Sequence, residues 1–425
     1  MPPIVQRQRE LPADVGDKVL QGALDQYKDD AAVRELVDSV RRYSSAPLTT
    51  GNRVDVLVDG PQTYSAIEAA IRAAHRTVHI ESFIFGAGDV GQRFADLLAQ
   101  KRKDGVEVRV LYDSLGSRET PRKFFDGMRA QNIEVREFRP LSPIKTPEIW
   151  KLQNRDHRKI IVVDGQIGFT GGINIDSTYE SASTSRPGPK RGLEDGWRDT
   201  HIEIQGPAVT QLQRLFVATW QQAGEHTDFA PDDKYFPQIK AAGDNLVTIV
   251  ANDSESDDRS LYATYLAAFT HSTKRMWITH AYFAPNEELL ASMINAAQRG
   301  VDVRLIVPSF TDSTVVLNAT QATFTRLLKS GVKIYELKDA LLHAKSVVID
   351  GTVTIIGSSN LDMRSFLHND EVNAIVISRD TAVRMEEVFQ RDQKAARTVE
   401  LKAWEKRSLW QRTKEFFVHM FSYWI

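Results

Sequence analysis

The sequence predicts two similar α/β lobes related by a pseudo-twofold axis, with one site between them, and three observations carry that prediction. First, His157-Arg158-Lys159, Asp164, Gly171 and Asn174 return as His343-Ala344-Lys345, Asp350, Gly357 and Asn360, every pair offset by 186. Second, strand-like and helix-like stretches alternate through both halves, as in α/β lobes with buried sheets. Third, the order itself repeats: Val106-Glu-Val-Arg-Val-Leu returns as Val301-Asp-Val-Arg-Leu-Ile, and Ile133-Glu-Val-Arg-Glu-Phe as Val332-Lys-Ile-Tyr-Glu-Leu. A chain of 425 residues is long enough for two cores of ordinary size.

Residues 1–50 read as an N-terminal helical extension, charged from about Asp14 to Tyr43, with no counterpart in the second half. It is expected to pack on the first lobe or to shape its entrance. Lobe one spans 51–240. Val54 to Val58 and Val78 to Phe85 read as strands around a helix from Thr63 to Ala74. A helix near Val90 to Arg102 precedes a strand from Val106 to Tyr112, then a helix from Phe124 to Ala130 and a strand from Ile133 to Phe138. Lobe two, 241–399, repeats this order after a junction near Gly224 to Asp244. Residues 400–425 form an amphipathic tail.

The lobes differ around the first motif. About 13 extra residues, including Pro140, Pro143, Pro147 and Trp150, precede His157, and about 14 more fall in the polar run from Ser181 to Gly192. Both insertions flank one histidine, so they are expected to roof the site. The second reads equally as a lid or as a plain surface loop.

In each copy a β-branched run follows the His-x-Lys and ends at Asp-Gly, which reads as a strand entering a hairpin turn. Residues two apart on a strand share a face, so His157 and Lys159 point together, as do His343 and Lys345. Asp164 and Asp350 fall at the turn and read as structural residues of the hairpin. The returning strand brings Asn174 or Asn360 back to the His-Lys end. An imidazole, an ammonium and an amide at one place suit phosphoryl chemistry: His attacks phosphorus or moves a proton, while Lys and Asn hold the charged oxygens.

The doubled HxKx4Dx6GxxN resembles the phospholipase D superfamily. The run Gly357-Ser-Ser-Asn-Leu-Asp-Met-Arg-Ser-Phe366, with Asn369 and Glu371, is similar to bacterial cardiolipin synthases. The resemblance covers about residues 50 to 400. It implies that one motif histidine forms a phosphohistidine and the other protonates the leaving group, with no metal or other cofactor. It also implies that an acid orients each motif histidine, and Asp199 and Glu371, each opening a strand-like run after its motif, match that place. The implied activity is phosphatidyl transfer that makes cardiolipin from phosphatidylglycerol, with hydrolysis as side reaction. His157 is the nucleophile by resemblance. Phosphatidylethanolamine is a further candidate acceptor. A phospholipase D-type phosphodiesterase or nuclease is the alternative.

Net charge is −2, so no global field favours polyanions, and no nucleic-acid partner is expected. The absence of Cys excludes disulfides and thiolate metal sites. The first residues have no apolar core of a signal peptide, and no run of about 18 apolar residues occurs. Many cardiolipin synthases begin with membrane-spanning helices; this chain resembles a shorter, peripheral form. It is expected on the cytoplasmic side of a bacterial inner membrane. The tail supports that placement, since Trp404, Trp410, Phe416, Phe417, Phe421, Tyr423 and Trp424 alternate with basic residues. Such a helix suits an anionic lipid surface, or packs on the body or a second subunit.

Overall fold

A computed structural model describes residues 46–141, 153–181, 196–224 and 234–408 apart from 257, together with Phe229 and isolated positions in the first 45. The insertions expected to roof the site, and the tail beyond Ser408, lie largely or wholly outside these residues.

Lobe one begins with β1 (Leu48–Val58) and α1 (Asp59–Ala73), then β2 (Thr77–Ser82), α2 (Asp89–Lys103), β3 (Glu107–Asp113), α3 (Arg122–Ala130) and β4 (Glu134–Phe138). The motif hairpin β5 (Lys159–Val163) and β6 (Ile167–Gly171) follows, and then β7 (Thr200–Gln205) and α4 (Val209–Gln222). Hydrogen bonding sets the order β4-β3-β2-β5-β6-β7-β1, parallel through β2 and antiparallel beyond it.

Lobe two repeats it: β8 (Asn245–Asn252), α5 (Ser260–His271), β9 (Arg275–His280), α6 (Glu287–Gln298), β10 (Asp302–Pro308), α7 (Thr314–Lys329) and β11 (Lys333–Leu337). The second hairpin is β12 (Lys345–Ile349) and β13 (Val353–Gly357), followed by β14 (Asn369–Ile377) and α8 (Arg379–Ala395). The order β11-β10-β9-β12-β13-β14-β8 reproduces that of lobe one, strand for strand. The edge strands β1 and β8 pair antiparallel at Asn52 and Asn245, so one sheet runs on into the other.

Alternation along the hairpins explains why their strands are apolar throughout. Ile161 and Val163 face the core under α1 and α2, whereas Ile160 and Val162 face an inner core that holds Val209 and Leu212 of α4 together with Val348 and Ile356 of lobe two. Val347 and Ile349 face the helices of lobe two, whereas Val348 meets Ile160 and Val162 in the inner core. Each sheet is therefore covered on both faces, and strands buried on both faces read as continuous apolar runs.

Asp164 and Asp350 adopt the left-handed region, with φ of 52° and 54°. The Asp164 carboxylate accepts hydrogen bonds from the backbone N–H of His75, Arg76 and Thr77 at 2.7–2.8 Å. Asp350 does the same for Thr273, Lys274 and Arg275, also at 2.7–2.8 Å. Each aspartate thus ties its hairpin turn to the start of the neighbouring parallel strand. Asn tolerates this backbone region, so Asp164→Asn and Asp350→Asn isolate the loss of the carboxylate. Each is expected to lower stability by about 1–3 kcal/mol through weakened acceptance of these three N–H groups. Urea unfolding midpoints measure this, with transfer rates near those of the parent at permissive temperature.

Three expectations change. Val33 and Val37 of the N-terminal extension are buried among Leu246, Val250 and Leu261, in the core of lobe two rather than on lobe one. The boundary expected at residue 50 falls inside β1, whose first residues pair with Ile4–Gln6. Nor is Trp404 a lipid-facing residue: its ring packs on Phe324 with centroids 5.0 Å apart, and its Nε1 donates to Thr325 at 3.2 Å. The segment Leu401–Trp404 belongs to the body of lobe two. Among the described residues no helix is long and apolar enough to cross a membrane.

Candidate active site

The pseudo-twofold symmetry brings the two His-Lys ends together where the inner faces of the sheets meet. His157 precedes β5 and His343 lies two residues before β12. Lys159 Nζ donates to the His157 carbonyl at 2.6 Å, and Lys345 Nζ to that of His343 at 2.5 Å. Each lysine thereby lies beside its histidine on the shared face of the strand.

The acids cross between lobes. Glu371 of lobe two holds His157 Nδ1 at 2.9 and 3.0 Å through its two oxygens, and Asp199 of lobe one holds His343 Nδ1 at 2.7 Å. A carboxylate at Nδ1 keeps the proton there and leaves Nε2 for chemistry. Neither histidine has its acid in its own lobe, so the site exists only when both lobes are docked. Residues 157 and 371, far apart in the chain, are thereby one unit.

Glycine in the motif has a steric cause. A Cβ on Gly357 would lie 2.0 Å from Asn373 Oδ1, and one on Gly171 (φ 154°) would lie 2.6 Å from the His201 Cα. The strand that carries each acid passes directly over its motif glycine.

The two pairs differ electrostatically. Burial pushes Glu371 up to about 7, against the charge of Lys159 and a hydrogen bond from Ser358 at 2.5 Å. Burial also pushes Asp199 up, but the hydrogen bond and charge of His343 and the charge of Lys345 outweigh it, and Asp199 stays below its ordinary value. Burial first, then the charge of Lys159, drives His157 well below the ordinary histidine value. Burial and Lys345 bring His343 down to about 4, with Asp199 opposing. Burial lowers Lys159 to about 7 and Lys345 to about 8.

Asn174 does not take the place expected of it. Its Oδ1 accepts from the Ile84 N–H at 3.1 Å and its Nδ2 donates to Tyr179 Oη at 3.1 Å, so its amide is not turned to a substrate phosphate. Tyr179 Oη in turn lies 3.1 Å from His343 Nδ1. Asn360 lines the open site beside His157, and among the described residues its Oδ1 has no partner. Tyr179 sits five residues after Asn174, where Ser365 follows Asn360; that difference was visible in the repeat but carried no meaning until the folded contacts were known. Trp197, whose ring is 5.2 Å from that of His343, and Phe83, 4.9 Å from that of His157, were also missed.

Two cavities open from the site and share Phe83 and Leu115 as a wall. One, about 390 Å³, reaches His157, Arg155, Tyr282, Asn360, Asp362 and Arg364. The other, about 550 Å³, lies against Trp197 on the His343 side. Among the described residues no group of three or more His, Cys, Asp or Glu is arranged to hold a metal ion.

Two histidines, each held by an acid of the other lobe, make a candidate site for phosphodiester chemistry. The family profile described as "Cardiolipin synthase, PLD-like domain" matches residues 67–184 and 265–393, more than half the chain. The chain belongs to that family. It is 36% identical over 396 residues to cardiolipin synthase 1 of Bacillus cereus, covering 91% of this chain and 75% of that one. It is 33% identical over 384 residues to the major cardiolipin synthase ClsA of Bacillus subtilis, covering 90% and 77%. The fold is similar to that of phosphatidylserine synthase of Haemophilus influenzae (TM-score 0.64, 13% identity, 91% of this chain and 97% of that one).

Proposed function

We propose that this protein is a phosphatidyltransferase that makes cardiolipin from phosphatidylglycerol and releases glycerol. The observation that carries the chemistry is the pair of crossed histidine–carboxylate contacts, Glu371 on His157 and Asp199 on His343, beside two buried lysines. His157 Nε2 attacks phosphorus, the bond from phosphorus to the glycerol oxygen breaks, and that oxygen takes a proton from His343 Nε2. The glycerol hydroxyl of a second phosphatidylglycerol then attacks the phosphohistidine, passes its proton to His343, and the N–P bond breaks. Lys159, Lys345 and Asn360 hold the phosphate oxygens. Asn174 acts through Tyr179.

The pairing favours these roles. Ionised Asp199 stabilises an imidazolium on His343, as a general acid needs. His157, driven well below its ordinary value by burial and the charge of Lys159, stays neutral and nucleophilic. Burial first and the lysine charges second depress both rings; an anionic phosphodiester offsets the lysine part and so moves His343 toward protonation as substrate arrives.

The substrate lipids are reached at an anionic membrane surface, on the cytoplasmic side of the cell membrane, with a tail beyond Ser408 as the candidate contact. Vesicles of phosphatidylglycerol incubated with the protein should yield cardiolipin and glycerol in equal amounts, with phosphatidic acid as the minor product by mass spectrometry. Phosphatidic acid alone would identify a hydrolase instead. The lysines supply the charge that a metal would otherwise provide, so turnover is expected to survive EDTA within about twofold.

A further inference from the structure

Corresponding segments of the two lobes contribute to the two cavities, and their walls differ in charge. Register places Tyr282, Asp362 and Arg364 of the His157 cavity opposite Ile84, Asp176 and Thr178 of the His343 cavity. The duplicated wall thus carries a cation in the cavity that holds His157 and a neutral threonine in the cavity against Trp197. In addition, the His343 cavity receives one residue from lobe two: Asp312, in the loop between β10 and α7.

Three acids line this cavity, and two are already committed. Asp176 caps the turn at Ser177–Tyr179 by accepting from the Thr178 N–H at 3.0 Å. Glu119 lies 3.8 Å from Arg118 at the exposed rim. Asp312 is different. Tyr282 Oη donates to its Oδ1 at 2.5 Å and Thr311 Oγ1 to the same oxygen at 2.8 Å, which fixes the carboxylate, and among the described residues no other side chain bonds to Oδ2. Its charge acts on both His343 and Lys345, so it lies within electrostatic reach of the group that protonates the departing alcohol. Tyr282 itself lines the His157 cavity, so the loop is anchored across the site.

An anchored carboxylate in this cavity, across from the Trp197 ring that packs against His343, repels the phosphodiester and attracts hydrogen-bond donors. Glycerol offers such donors next to its reacting oxygen, whereas a monohydric alcohol offers none. We propose that Asp312 selects the alcohol: its Oδ2 accepts a hydrogen bond from a second hydroxyl of the glycerol that leaves, and of the glycerol headgroup that enters, at His343. This rests on the phosphatidyl-transfer reading above. The covalent steps are those already given; Asp312 exchanges no proton with the reacting oxygen and acts on which alcohol is held there.

Matched acceptors test the inference. Phosphatidylglycerol vesicles are incubated with deuterated glycerol and 1-propanol at equal concentration, and the ratio of deuterated phosphatidylglycerol to phosphatidylpropanol is read by mass spectrometry. The ratio cancels any loss common to both acceptors. It should favour glycerol in the parent and fall about ten- to hundredfold in Asp312→Ala, the range for losing a hydrogen bond to a charged acceptor. Asp312→Asn, which keeps the shape, should shift it in the same direction and serves if the alanine variant does not fold. An unchanged ratio in a folded variant overturns the role of Asp312 while leaving phosphatidyl transfer intact. A parent protein that forms neither product overturns phosphatidyl transfer itself, and this role with it.

Discussion

His343→Ala incubated with phosphatidylglycerol accumulates a phosphatidyl adduct on His157, whereas His157→Ala accumulates none. The reason is the division of labour between two rings held by opposite lobes. His157, neutral and held at Nδ1 by Glu371, presents Nε2 to phosphorus. Breakdown of the adduct needs a base at the second ring to take the proton of the incoming alcohol. Without it the intermediate forms slowly and persists. Steady-state transfer is expected to fall by roughly 10⁴-fold in either variant, because residues that act as one unit are lost together. Intact-protein mass spectrometry followed by peptide mapping locates the adduct, under alkaline conditions because phosphohistidine is acid-labile. Finding it on His343 in the His157→Ala protein would reverse the two roles.

Glu371→Gln is the second large effect. The amide cannot hold the proton at His157 Nδ1 as a carboxylate does, and a mis-set tautomer removes the lone pair from Nε2. Loss of about 10²- to 10⁴-fold in kcat is expected. Stability should not follow, since burial already pushes this carboxyl up to about 7 and a neutral side chain of the same shape relieves that cost. The same shift fixes a pH dependence. Below about 7 Glu371 takes up a proton and ceases to hold the Nδ1 proton of His157, so kcat/KM rises with pH through that region. Lys159 and Lys345, lowered to about 7 and about 8, lose their charge as pH rises further, which supplies the descending limb. In Glu371→Gln the ascending limb should disappear while the descending limb stays. A melting temperature that drops with activity would assign Glu371 to the frame instead.

How far the sequence foretold this molecule depends on the range of the interaction. The β-branched runs beside each His-x-Lys are doubly buried because each sheet is covered on both faces, so strand positions could be read from side-chain type alone. The turn aspartates could be placed by parity, and their contact with the next strand follows from the turn. The crossing of the acids is another matter. It is a relation between lobes, and neither Asp199 nor Glu371 carries any local mark of which histidine it will meet. Asn174 looked equivalent to Asn360 because the motifs match; only the folded contacts show Tyr179 taking up its amide. Val33 and Val37 have the helical spacing of a buried stripe, but spacing does not say which core receives them. Trp404 read as part of an aromatic tail, and its partner Phe324 is in α7, far from it in sequence.

The central claim is that two histidines, each set by the acid of the other lobe, carry the phosphatidyl group through two displacements at phosphorus. Stereochemistry tests it most directly. A phosphatidylglycerol made chiral at phosphorus by sulfur substitution is turned over with a short-chain alcohol as acceptor, and the configuration of the product is determined. Two in-line displacements, the first by His157 and the second by the alcohol, predict net retention. Inversion would mean that the alcohol attacks the lipid directly and that no phosphohistidine lies on the path.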